Sequence, residues 1–457
     1  MFDTAETSEV TFDAPSSDQL ISKLTDDQAE AWAVLEPELK ADYPTTASLQ
    51  GYAGTGKTFM VTAIAEHLLE EGYDVSVAAL THQAKYVLRN EMPPAIVDDV
   101  YMNTIHSVLG LKLVPDNEGG EVLVRDDSRE PNLPESPDSV IIVDEASMQG
   151  MQLWEYTEEA FGKTPASWLF VGDPAQLPPV MDKESPALWQ DPTVQLERIV
   201  RQAKDNPIIR CATAIRNGRS WKKYKNNCKR NGEGEVVGIS TTTKQENFVG
   251  SACSKFDSDT YSDNPYHARI LCAHNDAVRQ MNHLVKAKIY PGASEWVEGM
   301  WGIVQTSWAP DQEIRAYTSE MLQIKECSKR TAAVASKNSF DSVRLPIWEM
   351  EVASERGPLS LDVLASEGKR QYEEEIEKRK EYAKKNGGGG AWRPYYALKE
   401  RLCDFRYPYA STVHKAQGMS LDAAYINMRD IRTFNKNWQE MRYVAFTRAR
   451  DQVAVLI

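Results

Sequence analysis

Gly51-Tyr52-Ala53-Gly54-Thr55-Gly56-Lys57-Thr58 constrains this chain more than any other stretch. It has the pattern G-x-x-x-x-G-K-[ST], and it stands between an apolar run at 47–49 and a helix-period run at 58–70. Gly54 and Gly56 let the backbone wrap tightly and aim N–H groups at an oxyanion. A helix starting near Lys57 adds partial positive charge at the same point. Gly51 and Thr55 complete the cradle, Lys57 reaches the β- and γ-phosphates of a nucleoside triphosphate, and the Thr58 hydroxyl ligates Mg²⁺. A strand, a phosphate loop and a helix in this order call for an α/β fold with a parallel sheet.

Ile141-Ile142-Val143-Asp144-Glu145 is an apolar strand ending in paired carboxylates. Ligands of open α/β sheets sit at the carboxyl ends of strands. Asp144 is placed to hold Mg²⁺ through water, and Glu145 to orient and deprotonate an attacking water. These features alone describe an ATPase, and a kinase or a switch protein would share them.

The rest of the chain repeats the strand–helix rhythm. Residues 47–49, 75–80, 140–143 and 168–171 read as buried parallel strands, and 26–35 as a helix stopped by Pro37. A second set follows, with strands at 269–273, 424–428 and 452–456 and helices at 277–288 and 438–447. A length of 457 residues exceeds what one core supports, so at least two domains are expected. Two stretches break the rhythm. Residues 112–114 and 121–124 flank a polar, glycine-rich loop and read as a hairpin. The longer stretch, 293–404, holds strand-like pieces at 301–306, 321–324 and 347–352, then a charged helix at 368–385 and a flexible glycine run at 387–390. The charged helix is expected to be a solvated surface element.

The net charge of −15 argues against a general affinity for phosphate backbones, so any such surface must be a local groove. Six cysteines show neither C-x-x-C spacing nor a matching histidine pair, which argues against a zinc site or a disulfide framework. The first 19 residues carry five carboxylates and no Lys or Arg, and read as a mobile acidic tail. No apolar run reaches membrane-spanning length, and a cytoplasmic location is expected.

Further clusters carry a family resemblance. Leu24-Thr25-Asp26-Asp27-Gln28 resembles the Q motif of superfamily 1 helicases, and Ala79-Leu80-Thr81-His82-Gln83-Ala84-Lys85 their motif Ia. Gly172-Asp173-Pro174-Ala175-Gln176-Leu177-Pro178-Pro179-Val180 resembles motif III, Thr412-Val413-His414-Lys415-Ala416-Gln417-Gly418-Met419-Ser420 motif V, and Tyr443-Val444-Ala445-Phe446-Thr447-Arg448-Ala449-Arg450 motif VI. Their order, with Thr104-Ile105-His106-Ser107 between motifs Ia and II, is similar to the RecD-like branch and to its phage Dda helicases. The resemblance implies two RecA-like domains, each with an insertion: a hairpin pin in the first and a β-rich, SH3-like subdomain with a helical arm in the second. The implied division is a tail at 1–19, a first domain at 20–110 and 138–198 interrupted by the hairpin at 111–137, and a second domain at 199–292 and 405–457 interrupted at 293–404.

The resemblance also implies roles. Arg448, on a helix of the second domain, acts as an arginine finger on the γ-phosphate, and Arg201 is a second such candidate beside Arg198. Gln176 senses the γ-phosphate, Gln28 reads the adenine edge, and Gly418 joins the nucleotide contacts. Thr81, His82, Thr104, His106, Thr412, His414 and Lys415 are hydroxyls, imidazoles and an amine at strand ends, none of them acidic, suited to a nucleic-acid strand. The expected activity is ATP-driven 5′→3′ translocation on single-stranded DNA with duplex unwinding, in DNA replication or repair. Fork DNA and single-strand-binding or replisome proteins are the expected partners. An RNA helicase of the same build, or an ATP-dependent switch that does not translocate, are the competing readings.

Overall fold

The computed structural model describes Ser22 and residues 24–115, 121–126, 129–180, 182–200, 206–230, 236–310, 314–334, 342–354, 356–387, 389–432 and 437–457. The acidic tail, the tip of the hairpin and Arg201 therefore lie outside the described residues. The chain divides into two compact units. One comprises Met1–Leu80, Ala84–Pro174 and Pro178–Lys204; the other comprises Thr81–Gln83, Ala175–Leu177 and Asp205–Ile457.

The first unit is built on α1 (Asp26–Leu39), β1 (Thr46–Gly51), α2 (Lys57–Glu70), β2 (Asp74–Ala79), α3 (His82–Glu91), β3 (Tyr101–Thr104) and the short α4 (Ile105–Val108). It continues through β4 (Leu111–Pro115), β5 (Glu121–Arg125), β6 (Ser139–Asp144), α5 (Met151–Phe161), β7 (Ser167–Gly172) and β8 (Thr193–Leu196). Six strands form one sheet in the order β3-β2-β6-β7-β1-β8, and every pairing is parallel. Both faces are covered, as the continuous apolar strands require. Val140, Ile142, Leu169 and Val171 join the core under α1 to α3, while Ile141, Val143, Trp168 and Phe170 join the core on the opposite face. That alternation is the period-2 pleat of a strand read on two buried sides. The hairpin β4–β5 is a separate antiparallel pair whose base is anchored by buried Leu111 and Leu123.

In the second unit the elements are α6 (Pro207–Arg216), β9 (Asn227–Arg230), β10 (Val236–Thr242), α7 (Gln245–Phe256), α8 (Asp259–Asp263), β11 (Ala268–Cys272) and α9 (Asn275–Ile289). There follow β12 (Trp301–Val304), β13 (Met321–Val334), β14 (Val343–Ser354), β15 (Gly357–Leu364), α10 (Lys369–Asn386), α11 (Gly389–Lys399) and β16 (Phe405–Arg406). The chain ends with β17 (Ala410–Thr412), β18 (Leu421–Asn427), α12 (Trp438–Thr447) and β19 (Ala449–Leu456). Its main sheet runs β17-β11-β18-β19-β10-β9, parallel except for the edge strand β9. The two parallel sheets are the two RecA-like domains. The insertion forms its own antiparallel sheet, β15-β14-β13-β12-β16, around a core with Trp296, Leu322, Trp348 and Phe405.

Four local expectations give way. The first helix runs through Pro37 to Leu39, because Leu35 and Leu39 are both fully buried and hold the last turn against the core. Proline costs that turn one N–H bond, yet the Lys40 N–H still reaches Glu36 O at 3.1 Å. The 321–324 strand extends to Val334, since β13 and β14 make a long ribbon rather than a short pair. The charged helix α10 is not solvated all round: Arg379 and Ala383 are buried, and Tyr372 and Ile376 pack on Leu345, Ile347 and Leu398. The Arg379 guanidinium donates to Glu375 at 2.9 Å and to Pro394 O at 3.0 Å, which satisfies its burial. Finally, α11 begins inside the glycine run, so that run is not wholly a flexible spacer.

Candidate functional site

The phosphate loop connects β1 to α2 at the carboxyl edge of the first sheet. Gly54 and Gly56 both adopt φ of 83°, the left-handed region that a side chain resists. Gly56 is also the N-cap of α2, and no side chain caps that helix, so its first N–H groups face the loop. Lys57 Nζ donates to Gly51 O at 2.8 Å and to Tyr52 O at 3.4 Å, folded over the cradle of its own loop.

Gln28 sits under this loop. Its Nε2 donates to Thr55 O at 3.2 Å and to Gly56 O at 3.4 Å, and its Oε1 accepts from the Thr25 N–H at 3.0 Å. Thr25 Oγ1 in turn accepts from the Gln28 N–H, so the pair forms a capping box at the start of α1. Gln28 is 2% exposed. As placed, it braces the phosphate loop, and an adenine contact requires the amide to release these bonds. The Thr25-x-x-Gln28 spacing was a legible capping signal in the sequence, independent of any nucleotide role. Val200, whose N–H donates to Gly54 O at 2.9 Å, is a further brace that no motif announced.

Asp144 ends β6, next to β7 and β2. Burial raises its pKa from 3.8 to about 7, and the neighbouring Glu145 carboxylate adds to the rise. The Glu145 N–H and the Lys57 ammonium act in the opposite direction. Glu145 has φ of 53°, unusual for a residue with a side chain, and it bends the chain out of the strand. Its strained backbone and the raised Asp144 pKa meet at the same strand end, the pattern of a site arranged for function rather than stability.

A stability prediction follows from this pair. An acid whose folded-state pKa lies above its ordinary value holds its proton in the folded state and releases it on unfolding. Stability therefore falls as pH rises from about 4 to about 7, and the deficit is complete above 7. Asp144→Asn should melt about 2–4 °C higher than the parent at pH 8 without nucleotide. The two should converge near pH 4. A Tm gap independent of pH would contradict the shift.

The other nominated residues occupy strand ends. Gln176 follows β7 and is buried, and Asp173, also buried, follows the same strand. Thr81 lies between β2 and α3, and His82 opens α3. Thr104 ends β3, and its Oγ1 accepts from the Ser107 N–H at 3.3 Å, so this hydroxyl caps α4. Burial lowers the His106 pKa to about 4, which leaves the imidazole neutral at pH 7. In the second unit, Thr412 ends β17 and accepts from the Lys415 N–H at 3.3 Å. Burial also lowers the His414 pKa, Lys415 is exposed, and Gly418 adopts φ of 72°. Arg448 is not within a helix but directly after it, at the junction of α12 and β19. It is 8% exposed, and its Nη1 donates to Met419 O at 3.1 Å. This ties the motif VI residue to the end of the motif V loop.

A family model described as an AAA domain matches residues 23–237. The chain is 26% identical over 461 residues to the ATP-dependent DNA helicase dda of Enterobacteria phage T4, covering 94% of this chain and 98% of that one. These matches support a helicase of the superfamily 1, Dda and RecD type. The chain also matches the ATP-dependent RecD2 DNA helicase of Deinococcus radiodurans, 34% identical over 173 residues, 37% of this chain and 21% of that protein. Among solved structures, the Pif1 helicase of Candida albicans is similar at 15% identity and a TM-score of 0.43, covering 95% of this chain and 94% of its own. Among the described residues, no helix is long and apolar enough to cross a membrane.

Proposed function

We propose that this protein is an ATP-dependent DNA helicase that translocates 5′→3′ on single-stranded DNA and separates the duplex ahead of it. The observation that carries the reading is the nucleotide site in the first unit. A left-handed glycine loop, Lys57, and the Asp144–Glu145 strand end share one sheet edge. DNA as substrate rests on the likeness to the phage T4 and Deinococcus helicases. The direction rests on the motif resemblance alone.

In this reading Lys57 neutralises the β- and γ-phosphates, and Glu145 orients the attacking water. Thr58 and Asp144 are hard oxygen donors of the kind Mg²⁺ takes, and the bound ion would supply charge neutralisation at the phosphates. Arg448, and Arg201 as the alternative, stabilise charge on the transferring phosphoryl group. Gln176 and Gly418 follow the γ-phosphate, and Gln28 couples the loop to α1. Thr81, His82, Thr104, His106, Thr412, His414 and Lys415 contact the strand, with the half-buried His106 and His414 acting as neutral hydrogen-bonding groups. Each unit grips the strand in turn as ATP binds and is hydrolysed, so cycles of closure become steps. The domain limits 20–198 and 199–457, with insertions at 111–137 and 293–404, belong to the same proposal.

We assign the β4–β5 hairpin the role of a wedge at the fork. Its base is braced from several sides: Lys112 pairs with Asp126 at 2.9 Å, Arg125 pairs with Glu159, and the Tyr156 hydroxyl donates to Leu123 O at 3.4 Å. A rigid base lets the tip bear load. Removing residues 116–120 should cut unwinding by about tenfold or more while changing single-strand-stimulated ATPase less than twofold, on the order expected when positioning but not chemistry is lost. Equal loss of both activities would remove the wedge role. The overall reading is tested with duplexes carrying a 5′ or a 3′ single-stranded overhang. Unwinding of the 5′-tailed duplex alone is expected, and unwinding of the 3′-tailed duplex alone contradicts the assigned direction.

A further inference from the structure

The second unit contains a cavity of about 590 Å³ that none of the motifs touches. It opens at the carboxyl edge of the main sheet. Met428 and Arg429 follow β18, Ile457 follows β19, the 218–225 turn follows α6, and Trp438 to Arg442 form the start of α12. Five cations line it: Arg219, Lys222, Lys225, Arg429 and Arg442. No Asp or Glu side chain does. Among the described residues, none of these five pairs with an Asp or Glu side chain. Arg429 Nε donates to Ile457 O at 3.2 Å, but no lining side chain supplies a counter-charge, and on a chain of net charge −15 five cations around one concavity are a standing electrostatic cost.

Arg442 bears the largest share of that cost. Its Nη2 donates to Ile431 O at 3.0 Å and its guanidinium lies 4.6 Å above the Trp438 ring, yet its Nε is buried without a partner. Burial pulls its pKa below the ordinary arginine value, and no carboxylate offsets the shift. A second observation points the same way. Trp438 and Gln439 open α12, whose N-cap, Asn437, makes no side-chain capping bond. An uncapped helix start favours an oxyanion through its unmatched N–H groups, while Glu440 in the same first turn takes up part of the positive dipole end.

The aromatic rings narrow the ligand. Trp221 is 6% exposed and packs against Phe446, and one face of Trp438 is taken by Arg442. No pair of open rings is available to sandwich a base, so the cavity suits the phosphate rather than the base of a ligand. Its place in the sheet favours a strand as the source. The order β17-β11-β18-β19 sets the cavity two to three strands from Thr412, on the same edge, about 10–15 Å along it.

We propose that this cavity is a phosphate subsite that holds a backbone phosphodiester of the bound single strand, beyond the contacts of the recognised motifs. The inference rests on the helicase reading and adds an anchoring point on the second unit. Arg219 and Lys222 are exposed, so the double variant Arg219→Gln/Lys222→Gln leaves the core and the ATP machinery intact.

The test measures binding of the full-length protein to a labelled oligothymidylate by anisotropy across a salt series. Removing one cation–phosphate pairing lowers the slope of log K against log salt by about 0.7, so the double variant should have a slope shallower by about 1.4 and bind several-fold more weakly. ATPase without DNA should be unchanged. A control, Lys384→Gln/Lys385→Gln at the exposed end of α10, should keep the parental slope. Equal slopes for parent and cavity variant, or equal reductions in variant and control, overturn the inference. Calorimetric titration with ADP separates the sources: one site in both proteins supports the strand, whereas a second site missing from the variant assigns the cavity to free nucleotide and overturns it. Cavity-dependent binding of an oligoglutamate peptide with an unchanged DNA slope also overturns it. A parent protein that binds no oligonucleotide refutes the helicase reading itself, whereas a parent that binds and an identical variant refute only the subsite.

Discussion

Lys57→Ala is expected to reduce ATP turnover by at least about 10³-fold while single-strand affinity stays within about threefold. Lys57 places a cation at the one point where the β1–α2 loop concentrates its N–H groups, and no other side chain of that loop carries positive charge. Its bonds in this structure run to the carbonyls of Gly51 and Tyr52, so its removal does not open the core. The variant should therefore keep a parental melting temperature to within a few degrees. A steady-state ATPase assay with and without oligonucleotide measures the loss, and turnover within tenfold of the parent would show that another group serves the phosphates.

Arg448→Ala should leave nucleotide binding measurable and slow hydrolysis by about 10³-fold or more, the magnitude of a lost arginine finger. Arg448 is held at the α12–β19 junction by Met419 O and by the Thr447 hydroxyl, at 3.1 and 3.3 Å. In the proposed role, a guanidinium fixed by its own neighbours would need no reordering at each turnover. Arg448→Lys should not restore the rate, because an ammonium lacks the planar fork that bridges two oxygens. Single-turnover hydrolysis, paired with fluorescent-nucleotide binding, separates chemistry from affinity. An unchanged hydrolysis rate would remove Arg448 from the site, and Arg201 would then be the residue to test.

The sequence displays the chemistry of this protein more openly than its supports. The 51–58 loop, the 141–145 strand and the 443–448 segment are local patterns, legible because each needs particular residues at fixed spacing. Strands buried on both faces were equally plain, since runs such as 140–143 and 168–171 hold nothing polar. What the sequence concealed depends on tertiary partners. Pro37 looked like a stop, but the burial of Leu39 outweighs one missing hydrogen bond. Lys369–Asn386 looked solvated, but Arg379 finds a carbonyl on the following helix and a carboxylate one turn earlier. Gln28 matched a nucleotide motif, yet its amide is committed to the backbone of the phosphate loop. The cationic cavity was invisible because Arg429 and Arg442 join Arg219, Lys222 and Lys225 only after the sheet is assembled.

ATP turnover at the Lys57–Asp144 site is expected to be coupled to a nucleic-acid strand. The most direct measurement is the steady-state ATPase rate of the full chain with and without saturating single-stranded DNA. Stimulation by about tenfold or more is expected, abolished in Lys57→Ala, on the scale of ligand-driven assembly of a catalytic site. A rate that is the same in the presence and absence of DNA, from a protein that binds both ligands, would make it a nucleotide-dependent switch and contradict that coupling.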